Sequence, residues 1–204
     1  MKLYYAPGAC SLSPHIGLRE TGVSFDLERV DLASRKTASG EDFSKINPKG
    51  YVPALRLDDG EVLTEGAAMV QYIADRYPAA GLAPANGTLE RVRLQEHLNF
   101  IASELHKAFS PLFSPATSEE AKQAAVTAVS RRLDHFERHL ADGRAHLLGE
   151  RFSVADAYLF TVASWTKPTG IGLDKWPNVA AFVSRVAARP AVQAAMRAEG
   201  LAAA

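Results

Sequence analysis

The chain has 204 residues, 47% of them hydrophobic and 23% charged, with 23 Lys and Arg set against 23 Asp and Glu. That length supports one large or two modest domains around a real core, and the balanced charge argues against a nucleic-acid binder, whose phosphate contacts require a basic excess. No apolar run approaches a membrane span, the opening residues lack a signal-peptide core, and the single cysteine, Cys10, can form no internal disulfide, which fits a reducing cytoplasm.

In chain order, Lys2 to Ala6 predicts a strand, Pro7-Gly8-Ala9-Cys10 a turn, and Ser11 to Thr21 a helix. Pro14 lies in the first turn of that helix, where a missing N–H does no harm, and Gly22 stops it. Phe25 to Val30 then completes a β-α-β unit. A short helix around Glu41 to Ile46 leads into Asn47-Pro48-Lys49-Gly50-Tyr51-Val52-Pro53. Ala54 to Leu57 and Glu61 to Leu63 form a hairpin across Asp58-Asp59-Gly60, and Thr64 is placed to cap a helix from Glu65 to about Tyr77.

Pro78 through Gly87, rich in proline and glycine, reads as a linker. Beyond it only helical periodicity is present. Leu94, Leu98, Ile101, Leu105, Phe109 and Leu112 mark a long buried stripe, and Glu119 to Leu140 a second helix. Ser153-Val154-Ala155-Asp156 is a capping box before an apolar run ending at Ala163. Two more helical pieces follow Trp176-Pro177 and Arg189-Pro190. The expected architecture is an α/β domain over residues 1–80 with βαβ-α-ββα order, followed by an all-α domain over 88–204.

Three features carry chemistry. Cys10 sits where a strand passes into a helix, so backbone N–H groups and the helix dipole favour its thiolate. A lone cysteine is more often a small buried hydrophobe, but the Pro-Gly turn shifts the balance toward function. Cys10-Ser11-Leu12-Ser13 has the form of a C-x-x-C with serine for the second thiol, a monothiol site able to form a mixed disulfide but not to resolve it. Val52-Pro53, if cis, turns the Val52 N–H and C=O outward toward an extended peptide; from the dipeptide alone, an ordinary trans proline opening a strand is the default. At Thr64-Glu65-Gly66-Ala67 a helix N-terminus suits a carboxylate while Glu65 suits an ammonium, a weak signal by itself.

On the second domain Asn99, Ser103, His106 and Ser110 fall within about 60° of an ideal helical wheel, beside the apolar stripe. That pattern fits a cleft edge and a solvated flank about equally. His135 and His139 are spaced as a metal pair, but they lack a third ligand and read as surface residues, so no metal is expected.

These signals in this order resemble the glutathione transferases over nearly the whole chain. Met1 to Tyr5 leading to Pro7-Gly8-Ala9-Cys10-Ser11-Leu12-Ser13-Pro14-His15 is similar to the bacterial beta class in particular, as are Asn47 to Pro53, Leu63 to Gly66, and Phe152 to Asp156. The resemblance implies a thioredoxin-like N-terminal domain, a cis bond before Pro53, a helical C-terminal domain, a homodimer, and glutathione as co-substrate with no metal. It implies that Cys10 lies at the glutathione sulfur, with Arg35 at the glycine carboxylate and Val52 on the cysteinyl backbone. Glu65 and Gly66 would take the γ-glutamyl end, and Asn99, Ser103, Glu104, Leu105 and His106 the rest of the site. His106 would hydrogen-bond or share charge with a thiolate, Lys107 would add positive potential, and Trp165 would wall the acceptor pocket, although a core tryptophan is the default for that residue. Ser11, like Tyr5, offers a hydroxyl that could activate the thiol in place of Cys10; Ser153 and Asp156 are structural.

The expected function is therefore to bind glutathione and present its thiolate to a small apolar electrophile, as in detoxification, with thiol-disulfide or dehalogenation chemistry open through Cys10. The rival is a non-catalytic thioredoxin-like carrier of apolar ligands or an interaction module, since a fold does not dictate function. The intact set Cys10, Glu65, Asn99, Ser103 and His106 favours the enzyme.

Overall fold

A computed structural model of the chain describes residues 1–201. It divides into two compact units, one formed by Met1–Ala83 with the chain from Ala187 onward, the other by Pro84–Val186. The break falls inside the predicted linker. The last helix, which the sequence assigns to the helical domain, packs in the first unit.

That first unit is built on five strands: β1 (Lys2–Tyr5), β2 (Asp26–Asp31), β3 (Lys36–Thr37), β4 (Ala54–Arg56) and β5 (Val62–Leu63). They lie in the order β3-β2-β1-β4-β5. β1 and β2 run parallel with Leu3 opposite Leu27, and β1 and β4 antiparallel with Leu3 opposite Leu55. Helix α1 (Leu12–Thr21) connects β1 to β2, α2 (Phe43–Ile46) connects β3 to β4, and α3 (Gly66–Arg76) follows β5; the short β3 is a strand that the sequence reading did not include.

Side-chain alternation explains the layering. Leu3 and Leu55 enter a cluster with Leu18, Met69 and Ile73, from α1 and α3. Their neighbours Tyr4 and Ala54 enter another with Val30, Phe43, Ile46 and Val52. Gly22 ends α1 at φ 72°, a left-handed value that costs glycine least.

The second unit comprises α4 (Leu89–Phe100), α5 (His106–Phe113), α6 (Glu119–His139), α7 (Val154–Ala163) and most of α8 (Pro177–Ala187). Among the described residues no helix is long and apolar enough to cross a membrane. Leu94, Leu98, Ile101, Leu105 and Phe109 are fully buried as the stripe predicts, whereas Leu112 at its end is only partly buried. α7 is buried on every side, which suits its almost uninterrupted apolar composition. This unit also departs from the sequence reading: α4 and α5 are separated by a π turn, Ile101–Leu105, in which the His106 N–H bonds to Ile101 O.

The chain then returns to the first unit, where α9 (Pro190–Ala198) packs on α1. An ion pair and a buried hydrogen bond fasten this junction. Arg189 reaches both carboxylate oxygens of Glu20 at 2.6 and 3.0 Å. Glu199 meets His15 Nδ1 at 2.8 Å, with both side chains wholly buried.

The capping box at α7 is present. Both the Ser153 N–H and Oγ donate to Asp156 Oδ2 at 2.7 Å, and the Leu147 N–H donates to Oδ1 at 2.7 Å. Burial raises the Asp156 carboxyl to about 6, with these donors opposing the rise. Removing the acceptor strands buried N–H groups, each worth about 1–3 kcal/mol. Asp156→Ala should therefore lower unfolding free energy in urea by about 3–5 kcal/mol. A loss below about 1 kcal/mol would show that these bonds do not hold the helix start.

Candidate functional site

The first unit gathers its functional side chains at the end of β1 and the turns beyond it. Cys10, half-buried, donates its S–H to Val52 O at 3.2 Å. Val52 is buried and joined to Pro53 by a cis peptide bond, as the resemblance implies. At the start of α1 the Leu12 N–H bonds to Ala9 O at 3.0 Å and the Ser13 N–H to Cys10 O at 3.2 Å. The first turn of α1 thus spends those donors on the preceding turn.

Ser11 also departs from its expected role. It is completely buried, its hydroxyl donates to Ala6 O at 3.2 Å, and it accepts the Ala6 N–H at 3.2 Å. Both bonds close the Ala6–Ser11 turn, so this hydroxyl fixes backbone rather than facing a ligand. Tyr5 is likewise buried, and burial followed by the Glu199 charge raises its phenol above the usual tyrosine value.

The Glu199 carboxylate that pairs with His15 also accepts the Gly8 N–H at 2.9 Å. Buried Glu199 thereby holds the turn two residues before Cys10. Sequence reasoning missed it, because 191 residues separate the partners.

Arg35 and Glu65 are the two non-glycine residues with positive φ among those described, at 56° and 67°. Thr64 does not cap α3 as expected; Glu65 bounds the helix and makes no side-chain cap. Instead Lys49 Nζ donates to Thr64 Oγ1 at 3.0 Å and to Glu65 Oε1 at 2.7 Å. Lys49 was legible only as part of the Asn-Pro-Lys-Gly turn. Gly66 opens α3, and a Cβ placed on it would come within 3.9 Å of the Pro53 ring, so its backbone lies close to the cis proline.

In the helical unit the expected polar line divides. Asn99, Ser103 and Lys107 are exposed, and Ser103 Oγ donates to Asn99 O at 2.9 Å. Glu104 pairs with Arg132 of α6 at 2.8 Å, and Leu105 is fully buried, its side chain part of the core. The π turn rotates α5 relative to α4, so His106 leaves the exposed line. Its Nδ1 lies 2.9 Å from Tyr158 Oη and its ring meets Trp165 edge-on at 4.8 Å. Phe109 and Phe113 also pack edge-on against Trp165, at 5.6 and 5.4 Å, and Phe113 is 53% exposed. The result is an aromatic group with one solvent-facing ring. Phe113 and Tyr158 were not singled out from sequence; their membership depends on how the helices pack.

Burial, with Lys107 second, pushes the His106 imidazole down from 6.5 to about 4. That favours the neutral ring near pH 7, which suits the hydrogen bond, of the two expected roles, rather than shared charge. His135 and His139 stack at 6.4 Å and His139 meets His97 at 4.7 Å, yet among the described residues no group of three suitable side chains could hold a metal ion.

Similarity to known proteins runs along the same division. Residues 8–76 match the family described as Glutathione S-transferase, N-terminal domain, and residues 100–190 the Glutathione S-transferase, C-terminal domain. Glutathione S-transferase GstA of Escherichia coli O157:H7 is 47% identical over 98% of this chain and 100% of its own. A sphingomonad glutathione S-transferase complexed with glutathione is 55% identical, with a TM-score of 0.95 over 99% of this chain and 100% of its own. The beta-class glutathione S-transferase of Sphingomonas chungbukensis is 54% identical, with a TM-score of 0.96 over 99% of this chain and 100% of its own.

The depressed imidazole is directly measurable. Because the folded value of His106 lies below 6.5, its neutral form stabilises the fold; the contribution is complete above 6.5 and is lost as pH falls through about 4. An NMR titration of the ring proton, assigned with His106→Gln, should show a midpoint near 4. A midpoint near 6.5 would contradict the burial argument.

Proposed function

The chain belongs to the glutathione S-transferase family, in its bacterial beta class, and is a glutathione transferase; from that premise we propose that Cys10 faces the glutathione sulfur and that the Val52 backbone receives the cysteinyl part of the peptide. The observation that carries this reading is the 3.2 Å contact between Cys10 Sγ and Val52 O, which puts the thiol and the outward backbone beside the cis bond within one small patch. An extended peptide pairing with Val52 brings its own sulfur to Cys10.

Arg35 takes the glycine carboxylate, and the Gly66 N–H and Glu65 take the γ-glutamyl end. In the helical unit Asn99, Ser103, Glu104, Leu105 and His106 serve the peptide, with Leu105 contributing backbone because its side chain is buried. The aromatic group of Trp165, Phe109 and Phe113 supplies the wall for a small apolar electrophile, Lys107 its positive rim. Rings of this kind suit flat apolar acceptors, since edge and face contacts both gain from burial. Exposed Leu89 and Val92 on α4 support assembly as a homodimer. A single cysteine suits a cytoplasmic setting.

Two chemistries are open at this site. In conjugation the glutathione sulfur attacks carbon and a leaving group departs. In disulfide exchange Cys10 sulfur attacks oxidised glutathione, the S–S bond breaks, and one glutathione leaves as thiol while the other stays bound to Cys10. With serine at position 13, no neighbouring thiol resolves that adduct. Intact mass after incubation with oxidised glutathione should show one adduct on wild type and none on Cys10→Ala. An adduct on both, or on neither, would remove Cys10 from the site.

A further inference from the structure

The turn that presents Val52 also presents a cation with no role so far. Asn47, almost fully buried, organises that turn: its Oδ1 accepts the Lys49 N–H at 3.1 Å, its O accepts the Gly50 N–H at 2.8 Å, and its Nδ2 donates to Tyr51 O at 2.6 Å. Lys49 is thereby placed three residues before Val52 on a rigid support. Its ammonium sits 2.7 Å from Glu65 Oε1, and the two side chains are 52% and 68% exposed, so the pair is open to a ligand.

Glu65 is held in a conformation that only surrounding contacts sustain. Its φ of 67° costs a non-glycine residue about 1–3 kcal/mol. An isolated surface ion pair returns about 0–1 kcal/mol, too little to explain that backbone. A paired positive and negative charge presented to solvent is instead the mirror of an α-amino acid zwitterion. The ligand's ammonium on Glu65 and its α-carboxylate on Lys49 would close a ring of four alternating charges.

The charge inventory agrees. Glutathione carries two carboxylates and one ammonium, and this unit offers Arg35, Lys49 and Glu65. The Arg35 guanidinium lies over Gly50, with Cζ 4.0 Å from where a Cβ would stand, so both cations border the same turn. We infer that Lys49 is a specificity residue that binds the α-carboxylate of the γ-glutamyl group as the counterpart of Glu65, an inference that rests on the glutathione reading above.

Calorimetric titration tests it with two thiol-blocked peptides: S-methylglutathione, and the analogue in which 4-aminobutyrate replaces the γ-glutamyl residue, keeping the ammonium but lacking the α-carboxylate. Wild type should prefer S-methylglutathione, and Lys49→Ala should cut that preference about fivefold to tenfold by weakening only the carboxylate-bearing peptide. Lys49→Arg should restore most of it. Lys49→Ala that weakens both peptides equally, weakens neither, or binds S-methylglutathione more tightly would overturn the assignment; the last result would make Lys49 a competitor for Glu65. Wild type that binds neither peptide would instead overturn the glutathione reading, and this inference with it.

Discussion

One contact constrains the rest of the first unit: the Cys10 thiol rests on the Val52 carbonyl. Holding it requires two turns from distant parts of the sequence to be fixed independently. On one side Ser11 closes the turn from Ala6, and buried Glu199 grips the Gly8 N–H. On the other, Asn47 spans the turn from Lys49 to Tyr51. The polar side chains that look most reactive in this neighbourhood are largely occupied with backbone. Such economy is expected of a rigid site, because groups locked by buried hydrogen bonds position others without moving themselves.

The helical unit works by different physics. Its polar groups at α4 and α5 are exposed or ion-paired, and its distinctive element is an apolar aromatic group around Trp165. His106 belongs to that group more than to the polar line, and the low dielectric which makes it pack well also keeps it uncharged. In the proposed site the α/β unit supplies Arg35 and Glu65 to a zwitterionic peptide, while the helical unit carries both polar groups assigned to that peptide and the apolar rings proposed for an electrophile.

Much of this was legible in the sequence because it is local. The strand at Lys2 to Ala6, the Gly22 stop, and the capping box at Ser153 and Asp156 each depend on residues a few positions apart. The failures have equally local causes. Thr64 has the right chemistry for a cap, but Glu65 adopts a left-handed φ and the hydroxyl turns to Lys49. Ser11 reads as an available hydroxyl because nothing in the sequence shows that Ala6 needs both of its bonds. The π turn is invisible in the burial stripe, since Leu98, Ile101, Leu105 and Phe109 keep helical spacing through it; only the fate of His106 reveals the rotation. Glu199 and Phe113 act through tertiary packing that no short motif encodes.

In the proposed site the Val52 carbonyl is shared between the resting thiol and an incoming peptide. A crystal structure with S-methylglutathione tests that sharing directly. It should show the cysteinyl backbone paired with Val52, the blocked sulfur beside Cys10, and the Cys10 side chain turned away from the carbonyl. A tripeptide bound elsewhere, or one seated here with Cys10 still donating to Val52, would contradict it.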